Sequence, residues 1–165
     1  MKIFKVLFLV LSLSFISCEH IEQAQPEHTY SGNWQYWPID TDWVLGDEVL
    51  VFINEYRFVK GLPNLVKDAN LTSALAAQHC NYMISQGTIS HDGFADRAEI
   101  LANNGAAAVG ENVAFGYKDP WEVVQAWINS PAHRDTMEGN YTHAGLGIRK
   151  DVFGTYFYTL ILVRK

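Results

Sequence analysis

Cysteine is nearly absent from this chain, which has two in 165 residues, Cys18 and Cys80. Cys18 borders an N-terminal processing signal and is expected to be acylated, as argued below, so Cys80 is the cysteine left for the folded domain. An intrachain disulfide is then excluded, and the hydrophobic core must hold the fold. A domain of about 120 residues suffices, because at that size it buries over about 60% of its unfolded surface. We expect one domain.

Basic residues are also scarce, with 12 Lys and Arg against 18 Asp and Glu and a net charge of −6. Removal of a signal peptide would delete Lys2 and Lys5, which leaves ten bases against eighteen acids and a charge of −8. The chain has no cluster of Lys and Arg. Nucleic acid and anionic lipid headgroups are therefore excluded as preferred partners.

The chain's N-terminal apolar run, Val6 to Ile16, is broken only by serines. It is shorter than the about 20 residues that a membrane-spanning helix needs. Lysines before it and small Ser17 after it indicate a signal peptide over residues 1–17. The end of the run resembles a bacterial lipobox, with Cys18 as the acylated first residue of the mature chain. The alternative is an ordinary secretory signal followed by an incidental cysteine. We expect an exported lipoprotein of the bacterial cell envelope, anchored to the membrane through Cys18.

Residues 18–44 are predicted to form a tether between the lipid and a domain over residues 45–165. The second half of the tether is rich in aromatic residues, namely Tyr30, Trp34, Tyr36, Trp37 and Trp43. Because disordered segments are usually poor in aromatic residues, we expect residues 30–43 to pack on the domain surface. The alternative is an exposed aromatic strip that holds a ligand or partner.

Hydrophobic periodicity and cap signals predict helices over residues 47–60, 71–86, 94–104 and 120–129, and a short helix that begins at Ser130-Pro131. Strands are predicted over residues 112–115, 142–149 and 155–163, and a turn at 151–154 joins the last two as a hairpin. Within the second strand, Gly145 and Gly147 share one face, which would let a helix approach the sheet closely. Helices followed by a terminal antiparallel hairpin predict an α+β fold.

Four short segments in the second half of the chain each place an imidazole or a carboxylate beside a glycine, a helix cap or a strand start. They are Ser90-His91-Asp92-Gly93-Phe94, Gly110-Glu111-Asn112, Ser130-Pro131-Ala132-His133-Arg134 and Tyr141-Thr142-His143-Ala144-Gly145-Leu146-Gly147. Together with Asn54-Glu55-Tyr56-Arg57 and Gly61-Leu62-Pro63 upstream, this ordered set resembles the bacterial branch of the superfamily of cysteine-rich secretory proteins, antigen 5 and pathogenesis-related-1 proteins, called CAP. The resemblance covers residues 46–165.

The resemblance implies a three-layer α-β-α sandwich with a small antiparallel sheet. It also implies a cleft in which Glu111 lies beside His91, with His133 supplying an imidazole from the adjacent helix. The full predicted set of cleft residues is His91, Glu111, Asn112, Ser130, His133 and His143. Many eukaryotic members have a second glutamate and a second histidine where this chain has Ser130 and Asn140, so the complete tetrad does not carry over.

The histidines also have simpler interpretations. His91 precedes an Asp-Gly turn pair and could merely bond its own loop, and Ser130 to Arg134 could be a capped turn with solvent-facing side chains. His133 lies in the first turn of a helix, where the macrodipole disfavours imidazolium, so a neutral ring could bind a metal or accept a proton. His79 is predicted to be a partly buried structural residue, and Cys80 a core residue rather than a nucleophile.

The expected function is a binding module whose ligand is a lipid, a small molecule or a protein, with no required cofactor. A His/Glu pair contributes about 10² to 10⁴ in rate, roughly 3 to 5 kcal/mol, whereas enzymes lower barriers by at least about 8 kcal/mol. The chain offers no activated nucleophile to supply the rest. The alternative is a hydrolase, peptidase-like, with a divalent metal such as Zn²⁺ on His91 and His133 and Glu111 as general base. A third interpretation is a structural cluster that only orders the loops. We expect a monomer.

Overall fold

The computed structural model describes residues 39–165, so the predictions for the signal peptide, for Cys18 and for most of the aromatic segment lie outside the described residues. Five helices and four strands occur in the described range. The helices are α1 (Trp43–Val59), α2 (Leu71–Gln86), α3 (Phe94–Asn103), α4 (Pro120–Asn129) and α5 (Pro131–Glu138). The strands are β1 (Val66–Lys67), β2 (Ala108–Phe115), β3 (His143–Lys150) and β4 (Tyr156–Arg164). None of these helices is long and apolar enough to span a bilayer.

The four strands form one sheet in the order β1-β3-β4-β2. The predicted hairpin of β3 and β4 is present, and β2 pairs antiparallel with β4 from Ala108 to Phe115. Sequence reasoning missed the two-residue strand β1, which pairs parallel with β3 at the opposite edge. The small sheet is therefore antiparallel except at β1.

Helices cover both faces of the sheet, which confirms the predicted α+β sandwich of three layers. On one face α1, α4 and α5 pack against the alternate residues Ala144, Leu146 and Ile148 of β3, and Trp127 of α4 is 1% exposed. On the other face α2 and α3 pack against Ile161 and Val163 of β4. Strand β4 thus sends successive side chains into two separate cores, Leu160 and Leu162 into one and Ile161 and Val163 into the other.

Two glycines of β3 let α2 lie directly on the sheet. A Cβ at Gly145 would come within 2.5 Å of the backbone nitrogen of Ser73, and a Cβ at Gly147 would overlap the backbone of Ala76 and Ala77. Only hydrogen atoms fit between this strand and the helix. The close approach expected from the glycine face of β3 is therefore present.

Helix α1 begins at Trp43, four residues before the predicted start and inside the range assigned to the tether. The Asp42 side chain caps the helix by accepting a hydrogen bond from the backbone N–H of Leu45 at 3.1 Å, and the Asp42 backbone N–H donates to the carbonyl of Ile148. Residues 41–42 are thereby bonded to β3. Apolar spacing alone placed the start too late, because the first turn of α1 is only partly buried.

The two predicted proline caps behave differently. The Asp119 side chain accepts a hydrogen bond from Trp121 N–H at 2.7 Å, with Pro120 at the first helical position of α4. The Ser130 side chain makes no such bond, although Pro131 opens α5 as expected. Ser130 ends α4 and begins α5, and its extended backbone turns the chain between the two helices.

Candidate functional site

Glu111 is the centre of a buried polar cluster between β2 and the layer of α2 and α3. Its side chain is 1% exposed. The Arg97 guanidinium donates from Nε to Glu111 Oε2 and from Nη2 to Oε1, both at 2.8 Å. This two-pronged geometry is the strongest form of an arginine–carboxylate contact. Arg97 therefore balances the charge of Glu111 before any ligand binds.

Arg97 is the functional residue that sequence reasoning missed. It lies in the first turn of α3 and is 4% exposed, and its remaining nitrogen, Nη1, donates to the backbone carbonyl of Asp92 at 2.8 Å. One guanidinium thus joins the strand carboxylate to the loop that carries His91. A signal was available, because Phe94, Arg97 and Leu101 share one face of the helix, the face that turns inward.

His91 is the exposed member of the cluster. Its Nδ1 lies 2.9 Å from Glu111 Oε1, and half of its side chain, 51%, is open to solvent. Because the carboxylate oxygen can only accept, Nδ1 must donate. The lone pair of a neutral ring is then on Nε2, the nitrogen left for a ligand. The structure therefore brings His91 and Glu111 together and fixes the tautomer.

A second imidazole, His79 of α2, lies beneath His91 and is 2% exposed. Its Nε2 is 2.7 Å from the carbonyl of Ser90 and 3.9 Å from Glu111 Oε1. Burial lowers the pKa of His79, and the nearby Arg97 charge lowers it further. His79 is thus a neutral ring that supports the loop of His91. It is fully rather than partly buried, and it adjoins the site.

His133 approaches from α5, on the other face of β2. Burial lowers the pKa of His133, and so does the charge of His91, which lies within electrostatic range. The ring is therefore neutral at neutral pH, as expected, although burial is the main cause where the helix dipole was invoked. The Asn112 side chain, 0% exposed, donates from Nδ2 to the His133 carbonyl at 2.9 Å and holds α5 against β2.

His143 is the predicted cleft residue that the structure does not bring to Glu111. It begins β3, where its Nδ1 lies 2.8 Å from the hydroxyl of Thr142. β4 separates β3 from β2, so at about 4.8 Å per strand His143 is displaced by about 10 Å from the β2 edge. His143 lies on the glycine face of β3, and α2 covers that face at Gly145 and Gly147.

Hollows of about 190 Å³ and about 550 Å³ lie elsewhere on the described part of the molecule. The smaller is lined by residues such as Asp68 and Lys165, and the larger by the outer face of α1 around Phe58. Neither is lined by His91, Glu111 or His133. At the predicted site, the exposed imidazole of His91 is held by the buried charges of Glu111 and Arg97.

No cluster of three or more His, Cys, Asp or Glu side chains suited to a metal ion occurs within residues 39–165. His91 and His133 are the candidate pair, and Glu111 is already engaged by Arg97. Cys80 is fully buried, and burial raises the pKa of its thiol to about 12. It is a core residue, as its sequence context predicted.

Comparisons with known proteins identify relatives of this fold and sequence. Residues 50–162 match the model of the cysteine-rich secretory protein family, CAP. Two Bacillus subtilis proteins are similar: YkwD, 31% identical over 105 residues, and the membrane protein YlbC, 29% identical over 116 residues. These alignments cover 61% and 67% of this chain, but only 40% and 33% of the two relatives. The chain therefore matches less than half the length of either protein.

Solved structures of other proteins have the same fold as the described part of this chain. An extracellular protein of Bacillus anthracis that contains an SCP domain superposes with a TM-score of 0.62 at 28% identity, over 72% of this chain and 40% of that protein. An outer surface protein of Borrelia burgdorferi superposes with a TM-score of 0.66 at 19% identity, over 74% of this chain and 93% of that protein. At that identity the second likeness concerns the fold alone.

Proposed function

The chain belongs to the cysteine-rich secretory protein (CAP) family, and we propose that it is an exported domain that binds a ligand at His91 without catalysing a reaction. Relatives with this fold include an extracellular protein and an outer surface protein, which supports export. The sequence suggests anchoring through Cys18. The observation that carries the binding role is the engagement of both Glu111 oxygens by Arg97.

A general base must be able to take a proton from a substrate or water. Glu111 Oε2 accepts from Arg97 Nε, and Oε1 accepts from Arg97 Nη2 and His91 Nδ1. To accept a proton, Glu111 would have to leave a buried guanidinium without its partner, which costs several kcal/mol. The carboxylate therefore serves to position His91 rather than to transfer protons.

His91 is suited to recognition. Its ring is half exposed, its Nδ1 is bonded to Glu111, and its Nε2 is left to meet a ligand. His133 adds a second imidazole within electrostatic range of the first, and burial lowers the pKa of His133. Such a pair can accept hydrogen bonds from a hydroxyl or amide group and can stack on a flat apolar group. A lipid, a small molecule and a protein segment all carry groups of these kinds.

A metal-assisted hydrolase with Zn²⁺ on His91 and His133 remains the alternative, and the engagement of Glu111 counts against its general base. Calorimetric titration of the metal-free protein with Zn²⁺ separates the two functions. Tight binding that is lost in both His91→Ala and His133→Ala, but retained in His143→Ala, would favour the hydrolase. The binding role predicts no tight Zn²⁺ binding to the wild type, because Glu111 is engaged by Arg97 and supplies no third ligand.

The binding role itself is tested by retention. Immobilised wild-type protein is exposed to detergent extract of bacterial membranes and to culture medium, and retained components are identified by mass spectrometry. We expect a component that His91→Ala fails to retain and that His143→Ala, a matched histidine away from Glu111, retains normally. Identical retention by all three proteins would contradict the proposal. Because His91 is exposed, its loss should leave the melting temperature nearly unchanged, whereas a large drop would favour a purely structural cluster.

Anchoring has its own test. Cells that express the full chain are fed a labelled fatty acid, and the protein is recovered from membrane and soluble fractions. Label on the wild-type protein and its absence from Cys18→Ser are expected, with the variant released into the soluble exported fraction. An unlabelled wild-type protein would contradict the lipoprotein assignment and leave the ligand-binding role intact.

A further inference from the structure

The turn between β3 and β4 presents two large apolar side chains to solvent. Val152 is 93% exposed and Phe153 is 89% exposed. Residues at the tip of a tight turn are usually Gly, Pro, Asn, Asp or Ser. Here Asp151 and Gly154 provide the turn chemistry, while the two positions between them are apolar. Folding gains nothing from side chains that contact so little of the protein, so their chemistry points to a partner.

The turn is ordered, not a loose loop. The Asp151 side chain accepts hydrogen bonds from the backbone N–H groups of Phe153 at 2.9 Å and Thr155 at 2.7 Å. The Gly154 N–H donates to the Asp151 carbonyl at 3.1 Å, and Gly154 adopts a φ of +80° that favours glycine. Val152 and Phe153 are thus held outward by the turn geometry.

The described chain begins at the same end of the sheet. Thr41 and Asp42 are bonded to Ile148 of β3, and Arg149 forms an ion pair with Asp40 at 2.7 Å. Val152 is four residues after Ile148, just past the end of β3, so the two lie within about 13 Å of each other. The first described residues therefore lie at the same end of the sheet as the apolar turn, and in the sequence Cys18 precedes them.

We infer that this turn is a membrane contact, in which Val152 and Phe153 enter the lipid surface to which the N-terminal region leads. A lipid surface is the partner that fits two apolar side chains on a rigid tip beside the chain's exit toward an acylation site. The chain carries a net charge of −6, which disfavours ionic attraction to anionic headgroups. The contact is apolar and should occur on zwitterionic lipid.

The experiment supplies the anchor directly and does not depend on acylation in the cell or on the role of His91. Residues 18–165 are coupled through the Cys18 thiol to a maleimide lipid in phosphatidylcholine nanodiscs. Cys80 does not compete, because it is fully buried and the pKa of its thiol is about 12. Nitroxide-labelled phosphatidylcholine then broadens the methyl resonances of side chains close to the lipid.

Two valines of α1 report the orientation. Val44 lies at the end of α1 near the turn and is 73% exposed, and Val59 lies at the other end and is 80% exposed. Both lie in α1, and the rise from position 44 to position 59 places them about 22 Å apart along the helix axis. We expect several-fold stronger broadening at Val44 than at Val59, unchanged in high salt because the contact is apolar.

Matched variants identify the cause. Val152→Ser with Phe153→Ser should abolish the difference between the two reporters. Val51→Ser with Phe58→Ser removes a Val and a Phe that are 53% and 77% exposed on α1, and should leave the difference in place. Equal broadening of both reporters in the wild type would overturn the inference and leave the turn to a protein partner. A difference that survives in the turn variant would overturn it equally.

Discussion

Replacing Arg97 with methionine tests the charge balance on which the site depends. Methionine keeps much of the buried aliphatic volume of the arginine and removes both hydrogen bonds to Glu111. Glu111, with its side chain 1% exposed, then keeps only the hydrogen bond from His91. The other imidazole, His79, is 3.9 Å away and is held neutral by burial. The variant therefore leaves a buried carboxylate with little compensation.

Breaking a buried ion pair from one side costs about 3 to 5 kcal/mol. We expect the lower value, about 3 kcal/mol, because His91 can still donate to Oε1 and its exposed ring can draw in water. For a domain of this size that is a fall of about 10 °C in melting temperature. Replacing both partners, in Arg97→Met with Glu111→Leu, should restore stability to within about 1 kcal/mol of the wild type, because no unpaired charge is left.

Urea unfolding of the wild type, the two single variants and the double variant measures the coupling, with equal m-values as the check that the unfolded states are comparable. The expected coupling energy is large, and the double variant is more stable than either single one. A loss below about 1 kcal/mol in Arg97→Met, or additive losses in the double variant, would refute the charge-balance argument. The pair would then be a solvent-screened contact, and Glu111 would be free to act as a base.

Three further predictions follow from the structure. Gly147→Ala should lower the free energy of unfolding, measured in urea, by at least about 3 kcal/mol, because the new Cβ would overlap the α2 backbone. Gly46→Ala is the matched control, because a Cβ there meets only ordinary contacts. It should leave that free energy unchanged or raise it by up to about 1 kcal/mol. The free energy of unfolding should fall as pH drops below about 6.5. The pKa values of His79 and His133 are lowered in the fold, so both rings stay neutral there while the unfolded chain takes up protons. In urea unfolding at a series of pH values, His79→Gln should show a weaker pH dependence than the wild type. Arg57→Met should lower the melting temperature by about 10 °C, because this 1% exposed guanidinium donates only to backbone carbonyls, which would be left unpaired; an unchanged melting curve would contradict its structural role.

Sequence reasoning located α2 and α4 within their observed bounds because both carry local stop or cap signals. Gly87 ends α2 in the left-handed conformation, and Asp119-Pro120 opens α4. The wrong or missing predictions concern strands whose bounds are set by pairing with another strand. β2 begins at Ala108, four residues earlier than predicted, through a small, glycine-containing stretch of low strand propensity that β4 holds in register. β1 is two residues long and exists only because β3 lies beside it.

The candidate site was predictable in part. The expectation that His91 and Glu111 meet rests on a resemblance, and the structure places them at hydrogen-bond distance. Arg97 was not predicted, because sequence alone does not distinguish a buried arginine that pairs with a carboxylate from an arginine exposed to solvent. His143 was predicted with the other cleft residues because its segment, like that of His91, has a histidine close to glycine in the sequence. Chain patterns report which face a residue occupies but not what covers that face.

The register of β2 against β4 explains why distant segments converge here. Successive residues of a strand point to opposite faces, so Glu111 turns toward α3 and fixes His91, while Asn112 turns toward α5 and holds the backbone at His133. Adjacent positions of one edge strand thus set the positions of two imidazoles that come from different layers. A slip of one residue would send the carboxylate to α5 and the amide to Arg97. The ion pair of Arg97 with Glu111 and the positions of the two imidazoles would then be lost. The site therefore depends on the strand pairing of β2 as strictly as on the histidines themselves.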